Sequence, residues 1–448
     1  MRCGYRQSIR CVTSGRTALV ETVKLTYYGQ KNGCRCVAFD GKRSADTFYK
    51  KEIIMKKILV LACVIIMLGG VIFSMTACSN NWSFANIFSG RMEEKITDIG
   101  ENVSGIEIMT DTADISLLAS DDGNCKVVAY DKKNITYSAS VEGGVLKISL
   151  MDGRKWFERL FDFRTPTLTV YLPKGEYSVL CIDESTGNIT IPSDFSFASI
   201  DITHSTGNVF LGASAIGEVK INGSTGDVNI EGITCGSLEV SYSTGKVTMN
   251  NVTASGDITT NGSTGDMQLC NLIYKNLTSL GDTGNVEATN LCGAENTTFE
   301  RSTGRVSITN AVCKGNITTK TSTGKTEIIG AECADLDLVV TTGKSILSDI
   351  NCATLTTAGD TGDVNLVNVI ASGKFDIKRD TGDVDFDGCD AAEIYVKTDT
   401  GDVEGTLLTE KIFIVNTDTG RVNVPESTTG GKCKITTDTG NVKISFKK

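Results

Sequence analysis

Six copies of Asp-Thr-Gly, beginning at Asp282, Asp360, Asp380, Asp399, Asp418 and Asp438, are the residues that most resemble catalytic machinery in this chain. Two such carboxylates sharing a proton can activate water, but they must face one another from two lobes. Here the phrase is one spelling of a recurrent turn that elsewhere reads Ser-Thr-Gly or Thr-Thr-Gly, and no second lobe is encoded. His204 is the sole histidine. With no Ser-His-acid constellation around it and no second histidine, neither a general-base nor a metal role is expected of it. The chain is read as a non-enzyme with no catalytic residues and no bound cofactor.

Two side-chain series remain. Asp360 and Asp363, Asp380 and Asp383, and Asp399 and Asp402 flank three successive glycines. Stacked one above another, like charges repel by about 1 kcal/mol per neighbouring pair even in water. Turn N–H groups and the nearby Lys378, Arg379, Lys397 and Arg421 can offset this. The sharper expectation is a Ca²⁺ ladder, since hard oxygen ligands suit that ion. In the second series, Cys235, Cys313, Cys333 and Cys352 lie nine residues after a glycine and Cys292 eight. They predict a column of inward thiols, continuous over four turns from Cys292, packing as small hydrophobes. Disulfides between adjacent turns are also open; metal binding is not indicated without CxxC spacing.

What must position these residues is a period. Gly187, Gly207, Gly226, Gly245, Gly265, Gly284, Gly304, Gly324, Gly343, Gly362, Gly382, Gly401, Gly420 and Gly440 each close one turn phrase, and every gap is 19 or 20 residues. Such regularity marks a solenoid. Counting from Gly226, apolar residues fall at Val228, Ile230, Ile233, Cys235, Leu238 and Val240. Steps of two are those of a strand with one buried face, and the steps of three mark corners. The expected fold is all-β: a parallel β-solenoid of 19–20-residue coils, right-handed, about 65 Å long at the usual strand spacing. Glycine suits the corner because it tolerates positive φ. The one-residue variation in period is assigned to a second corner, where Gly236, Gly256, Gly315 and Gly373 occur.

The front of the chain is different. Residues 1–54 hold eleven Lys/Arg against four Asp/Glu and do not repeat. They read as a start-site misassignment ahead of Met55, or else as a basic tail. Residues 55–78 then give Lys56-Lys57, an apolar run from Ile58 to Phe73, and Thr76-Ala77-Cys78. That is a signal peptide ending in a lipobox with Cys78 as the lipidated residue, or an uncleaved membrane anchor. Residues 79–102 read as a spacer, 103–183 as a β-rich N-terminal cap with irregular first coils, and 184–448 as the solenoid proper. The Trp156–Phe161 aromatic cluster is expected to pack in that cap.

The Val-rich strands, then Leu168-Thr169-Val170-Tyr171-Leu172-Pro173, then Ser185-Thr186-Gly187-Asn188-Ile189 and its echoes resemble the bacterial DUF4097 family of candidate adhesins. The resemblance covers Val103 to Lys448. It implies a membrane-tethered β-repeat protein and transfers no catalytic residue.

From Ser79 onward there are 31 Lys/Arg against 50 Asp/Glu, a net charge of −19. An acidic rod excludes nucleic acid as a partner. The expected function is display or adhesion on the extracytoplasmic face of the cell membrane, held by the N-terminal anchor and binding a glycan or protein outside. An envelope sensor or regulatory partner is the alternative. A carbohydrate-active β-helix enzyme is disfavoured because the near-constant period leaves no room for active-site insertions.

Overall fold

A computed structural model of the chain describes residues 93–131, 135–152 and 165–447. Cys78, the apolar run and the Trp156–Phe161 cluster lie outside the described residues. All the described secondary structure is β, and the chain is a parallel β-solenoid.

One coil shows how the sequence makes the turn. After Gly245, Val247–Ala254 is a strand whose buried residues are Val247, Met249, Val252 and Ala254. Its alternation slips by one at Asn250-Asn251, where Asn251 takes φ 54° and bends the strand. A second corner at Ser255-Gly256-Asp257 leads into Ile258–Thr264, and Gly265 closes the coil. Each strand pairs in parallel with its counterparts in the coils before and after, as Val247 does with Val228 and Met267. Inward columns of Val, Ile, Leu and Met stack into one continuous core. The variation in period is taken up where expected: the register shifts between Cys352 and Thr354 against Ala371 and Lys374, so Gly373 adds the extra residue at the second corner.

The coils do not stack in chain order at either end. Near the C-terminus, Ile394–Thr400 pairs with Cys433–Thr439 rather than with the next coil. Lys411–Thr419 pairs on the far side of that same Gly431–Thr439 strand. The last coil is therefore inserted between the two that precede it. At the other end the pattern repeats. Let β1 be Glu93–Ile99, β2 Gly105–Thr110, β3 Asp114–Ala119, β4 Cys125–Asp131, β5 Ile135–Glu142, β6 Val145–Asp152, β7 Thr167–Leu172, β8 Gly175–Thr186 and β9 Ile189–Ile191. The coil of β2 and β3 sits between β6/β7 on one side and β8/β9 on the other. Antiparallel strands then cover the outer edge, β5 against β6 and β4 against β7, with β1 beyond β4.

β1 corrects the sequence reading, which took residues 79–102 for a spacer. Glu93-Glu94-Lys95 hides a strand because it is an outermost edge, where charged residues are tolerated and discourage further pairing. Only Ile99 of this strand packs against the core.

Candidate functional site

The corner glycines are held by contact as much as by conformation. From Gly187 to Gly401 their φ lies between 128° and 158°. Gly420 and Gly440 fall outside that range, yet they are glycines all the same. The common cause is steric. At Gly207, a Cβ would overlap the Gly187 carbonyl oxygen of the preceding coil, and the same holds for Gly420 against Gly440 and Gly440 against Gly401. Backbones approach too closely there for any side chain.

The residue after each corner glycine does separate work. Where its counterpart in the neighbouring coil is Asn or Asp, that side chain accepts its N–H; for Asp266, Lys325, Lys344 and Asp363 the counterpart is Lys or Arg and accepts nothing. Asn208 N donates to Asn188 Oδ1 at 3.0 Å, Asp227 N to Asn208 Oδ1 at 2.8 Å and Asn285 N to Asp266 Oδ1 at 2.8 Å. The acidic stretch obeys the same rule: Asp383 N donates to Asp363 Oδ1 at 3.3 Å, Asp402 N to Asp383 Oδ1 at 2.8 Å and Asn441 N to Asp402 Oδ1 at 2.7 Å. One oxygen of each proposed calcium ligand in this column is thus already engaged by backbone. Asp399 lies 3.2 Å from Lys397 Nζ. No three carboxylate, Cys or His groups converge on a metal position among the described residues. Arg379 was expected among the surface counter-charges and is instead 2% exposed. It donates to Val340 O, Ser345 Oγ and Thr357 Oγ1 at 2.9, 2.8 and 3.1 Å.

A third ladder was missed. Six residues after the corner glycines stand Asn251, Asn271, Asn290, Asn310, Asp349 and Asn368, all with φ between 51° and 56°, and Gly232, Gly330 and Gly388 fill the same place. Asn271 Nδ2 donates to Asn251 Oδ1, and Asn290 Nδ2 to Asn271 Oδ1, both at 2.8 Å. Asn, Asp and Gly are the residues that accept a left-handed backbone. Their recurrence at one offset was readable in the sequence.

The thiol column is shorter than expected. Cys235, Cys313, Cys333 and Cys352 are buried and free, but Cys292 is exposed. Offset eight points outward, and Gly293 holds the inward place. Three successive coils, not four, stack thiols. Burial pushes Cys333 up to about 12 and Cys352 up to about 11.

The inward column three residues before the corner glycines contains the unusual side chains. In successive coils it reads Glu184, His204, Gly223, Tyr242, Gly262, Gly281 and Arg301. Each large side chain leans over a neighbouring glycine: a Cβ on Gly223 would overlap the His204 ring and one on Gly262 the Tyr242 ring, while one on Gly281 would stand 2.9 Å from Arg301 Nη1. Arg301 is satisfied by Ser279 O at 3.2 Å, Ser279 Oγ at 2.9 Å and Glu300 O at 2.7 Å. Glu184 and His204 are not satisfied. They are 1% and 3% exposed, and neither carboxylate oxygen nor either ring nitrogen has a hydrogen-bond partner. Burial raises the Glu184 pKa to about 8, against the opposing pull of the facing Ala113 and Thr186 N–H groups, and lowers that of His204. Over this column, from Thr203 to Ser322, runs an open groove of about 790 Å³.

A fold and a groove of this kind define a class, the stacked-coil β-repeat proteins. The family model described as Toastrack DUF4097 matches residues 103–271 and 335–448, more than half of the chain. The chain belongs to the DUF4097 family. No curated protein matches it. Among solved structures, it is similar to a candidate adhesin from Parabacteroides merdae, at 14% identity over 56% of this chain and 96% of the other, with a TM-score of 0.32. A candidate adhesin from Bacteroides fragilis gives 12% identity over 80% and 98% of the two chains and a TM-score of 0.22. A candidate cell adhesion protein from Clostridium sporogenes gives 9% identity, 80% and 100% coverage and a TM-score of 0.16.

Proposed function

We propose that the chain is a non-enzymatic adhesin-like rod displayed on the outer side of the cell membrane. The observation that carries this reading is the groove over seven unbroken coils, a long accessible face on a rigid scaffold. The N-terminal apolar run and Cys78 supply the tether, by lipidation or by a membrane anchor. The acidic body keeps such a rod soluble and away from anionic lipid. Its ligand is a molecule of a neighbouring surface, glycan or protein.

Cells expressing the full chain test this directly. Protease added outside intact cells should degrade the rod, and these cells should adhere to glycan- or protein-coated surfaces better than cells lacking the chain. Full protection from the protease, or adhesion equal to that of cells without the chain, overturns the reading.

A further inference from the structure

The groove has a chemistry of its own. Ser205, Ser224, Ser243 and Ser263 stand in one exposed column two residues before successive corner glycines. Ser302 and Ser322 resume it after Asp282. Parallel pairing puts one hydroxyl about every 4.8 Å along the axis, and the seven coils cover about 29 Å. The floor beneath is the inward column, where the His204, Tyr242 and Arg301 side chains lie over Gly223, Gly262 and Gly281.

The charges in this groove cancel. Arg301 and Lys320 stand against Asp282 and Glu300, and Lys320 Nζ is 2.6 Å from Glu300 Oε1. Arg301 turns its guanidinium inward to Ser279, away from any ligand. An acidic polymer would meet exposed Asp282 and a body carrying −19 from Ser79 onward. A cationic one would meet no unpaired cluster of carboxylates here. What the groove offers instead is hydroxyl and amide groups, the latter from Asn222 and Asn261.

His204 supplies the second, independent pointer. It lines one end of the groove, it is 3% exposed, and both its nitrogens lack a partner. A buried polar group without a hydrogen bond costs desolvation energy. A neutral imidazole has one N–H to give and one lone pair to offer, the pair of contacts that a hydroxyl, both donor and acceptor, can meet at once.

We propose that the groove binds a neutral oligosaccharide extended along the rod axis, with the serine column meeting successive sugar units and His204 receiving a hydroxyl at one end. This deepens the adhesion reading and rests on it.

The test uses the full chain, titrated calorimetrically with linear hexamers of glucose, mannose, galactose and N-acetylglucosamine. Oligogalacturonate and oligomeric glucosamine serve as acidic and basic comparators. At least one neutral hexamer should bind, and Ser243→Glu and Ser263→Glu should each weaken it tenfold or more. Thr341→Glu, in the same column beyond the groove, should leave it unchanged. His204→Leu should weaken binding in a variant whose melting matches the parent. Binding of neutral hexamers that ignores both serine variants, preference for the acidic or basic oligomer, or no neutral hexamer bound overturns the proposal. In each of those cases, adhesion by cells carrying the chain would leave the broader reading standing; loss of adhesion as well would remove both.

Discussion

The α-carbon of Gly304 is pressed so closely onto the Gly284 carbonyl of the preceding coil that a Cβ would overlap its oxygen. Gly284 N donates to Thr303 O at 3.0 Å, tying these two coils, and Gly304 N donates on to Thr323 O of the following coil at 3.0 Å. A side chain here must push two coils apart or bend both. Gly304→Ala should cost on the order of 2 kcal/mol or more, with Gly304→Val worse. Glu327→Asp, an outward residue paired with Arg305 and Lys325, should stay within about 1 kcal/mol. Denaturant melts of the three variants check the order.

The left-handed ladder separates conformation from hydrogen bonding. Asn290 has φ 56°, donates to Asn271 Oδ1 and accepts from Asn310 Nδ2. Asn290→Ala loses the ladder and strains the backbone, a cost of roughly 1–2 kcal/mol. Asn290→Gly keeps the backbone conformation, as Gly330 and Gly388 do in their own coils, and should recover part of that loss. Equal stability of the two variants would count against a strained corner.

The period, the inward columns and the extra residue at Gly373 were all legible, because each follows from side-chain alternation and spacing alone. Three features were not. β1 was hidden because an outermost edge strand carries charges on purpose. The inserted last coil could not be seen because any coil with the right columns can pair with any other, so stacking order is not written in the period. The groove was hidden for a related reason: nothing in the period marks Gly223, Gly262 and Gly281, over which His204, Tyr242 and Arg301 lean. A large polar residue beside a glycine one period away was the available signal.

Glu184 gives a pH dependence whose sign follows from its burial. Its folded pKa, about 8, lies above its ordinary value, so the folded chain holds a proton that the unfolded chain releases. Stability is then greatest at low pH from this group and falls as pH rises towards 8. Asp114 and Asp183 reinforce the shift. His204 acts oppositely, since burial lowers its pKa and its contribution is lost as pH falls below about 6.5. Of these two groups only Glu184 still acts between pH 6.5 and 8, and it should lower stability by up to about 1.4 kcal/mol per pH unit. Glu184→Gln should flatten that limb while the acid limb persists. Parallel curves for both proteins would show that the carboxyl is not buried unpaired.

The aspartate ladder should be indifferent to calcium. Asp363, Asp383 and Asp402 each spend an oxygen on a backbone N–H, and Lys344 Nζ is 3.5 Å from Asp363 Oδ2. A calcium ion would have to compete with these bonds. Melting temperatures in millimolar calcium and in sodium of equal ionic strength should coincide. A rise confined to calcium would show that the column binds the ion.

The inserted last coil makes a prediction that needs no substitution. Cys433–Thr439 is bonded on both edges, to Ile394–Thr400 on one side and to Phe413–Thr419 on the other. Lys411–Thr419 has one described strand neighbour, and Ile412 and Ile414 are 41% and 49% exposed. If coils stacked in chain order, the segment nearer the C-terminus would be the outer one and would fray first, as terminal elements generally do. The observed order reverses that. Amides of residues 433–437 should therefore exchange more slowly than those of 413–417, although they lie twenty residues closer to the chain's end. Hydrogen exchange read by mass spectrometry on peptides from the two segments distinguishes the cases. Faster exchange at 433–437 would mean that the last coil lies outermost in solution.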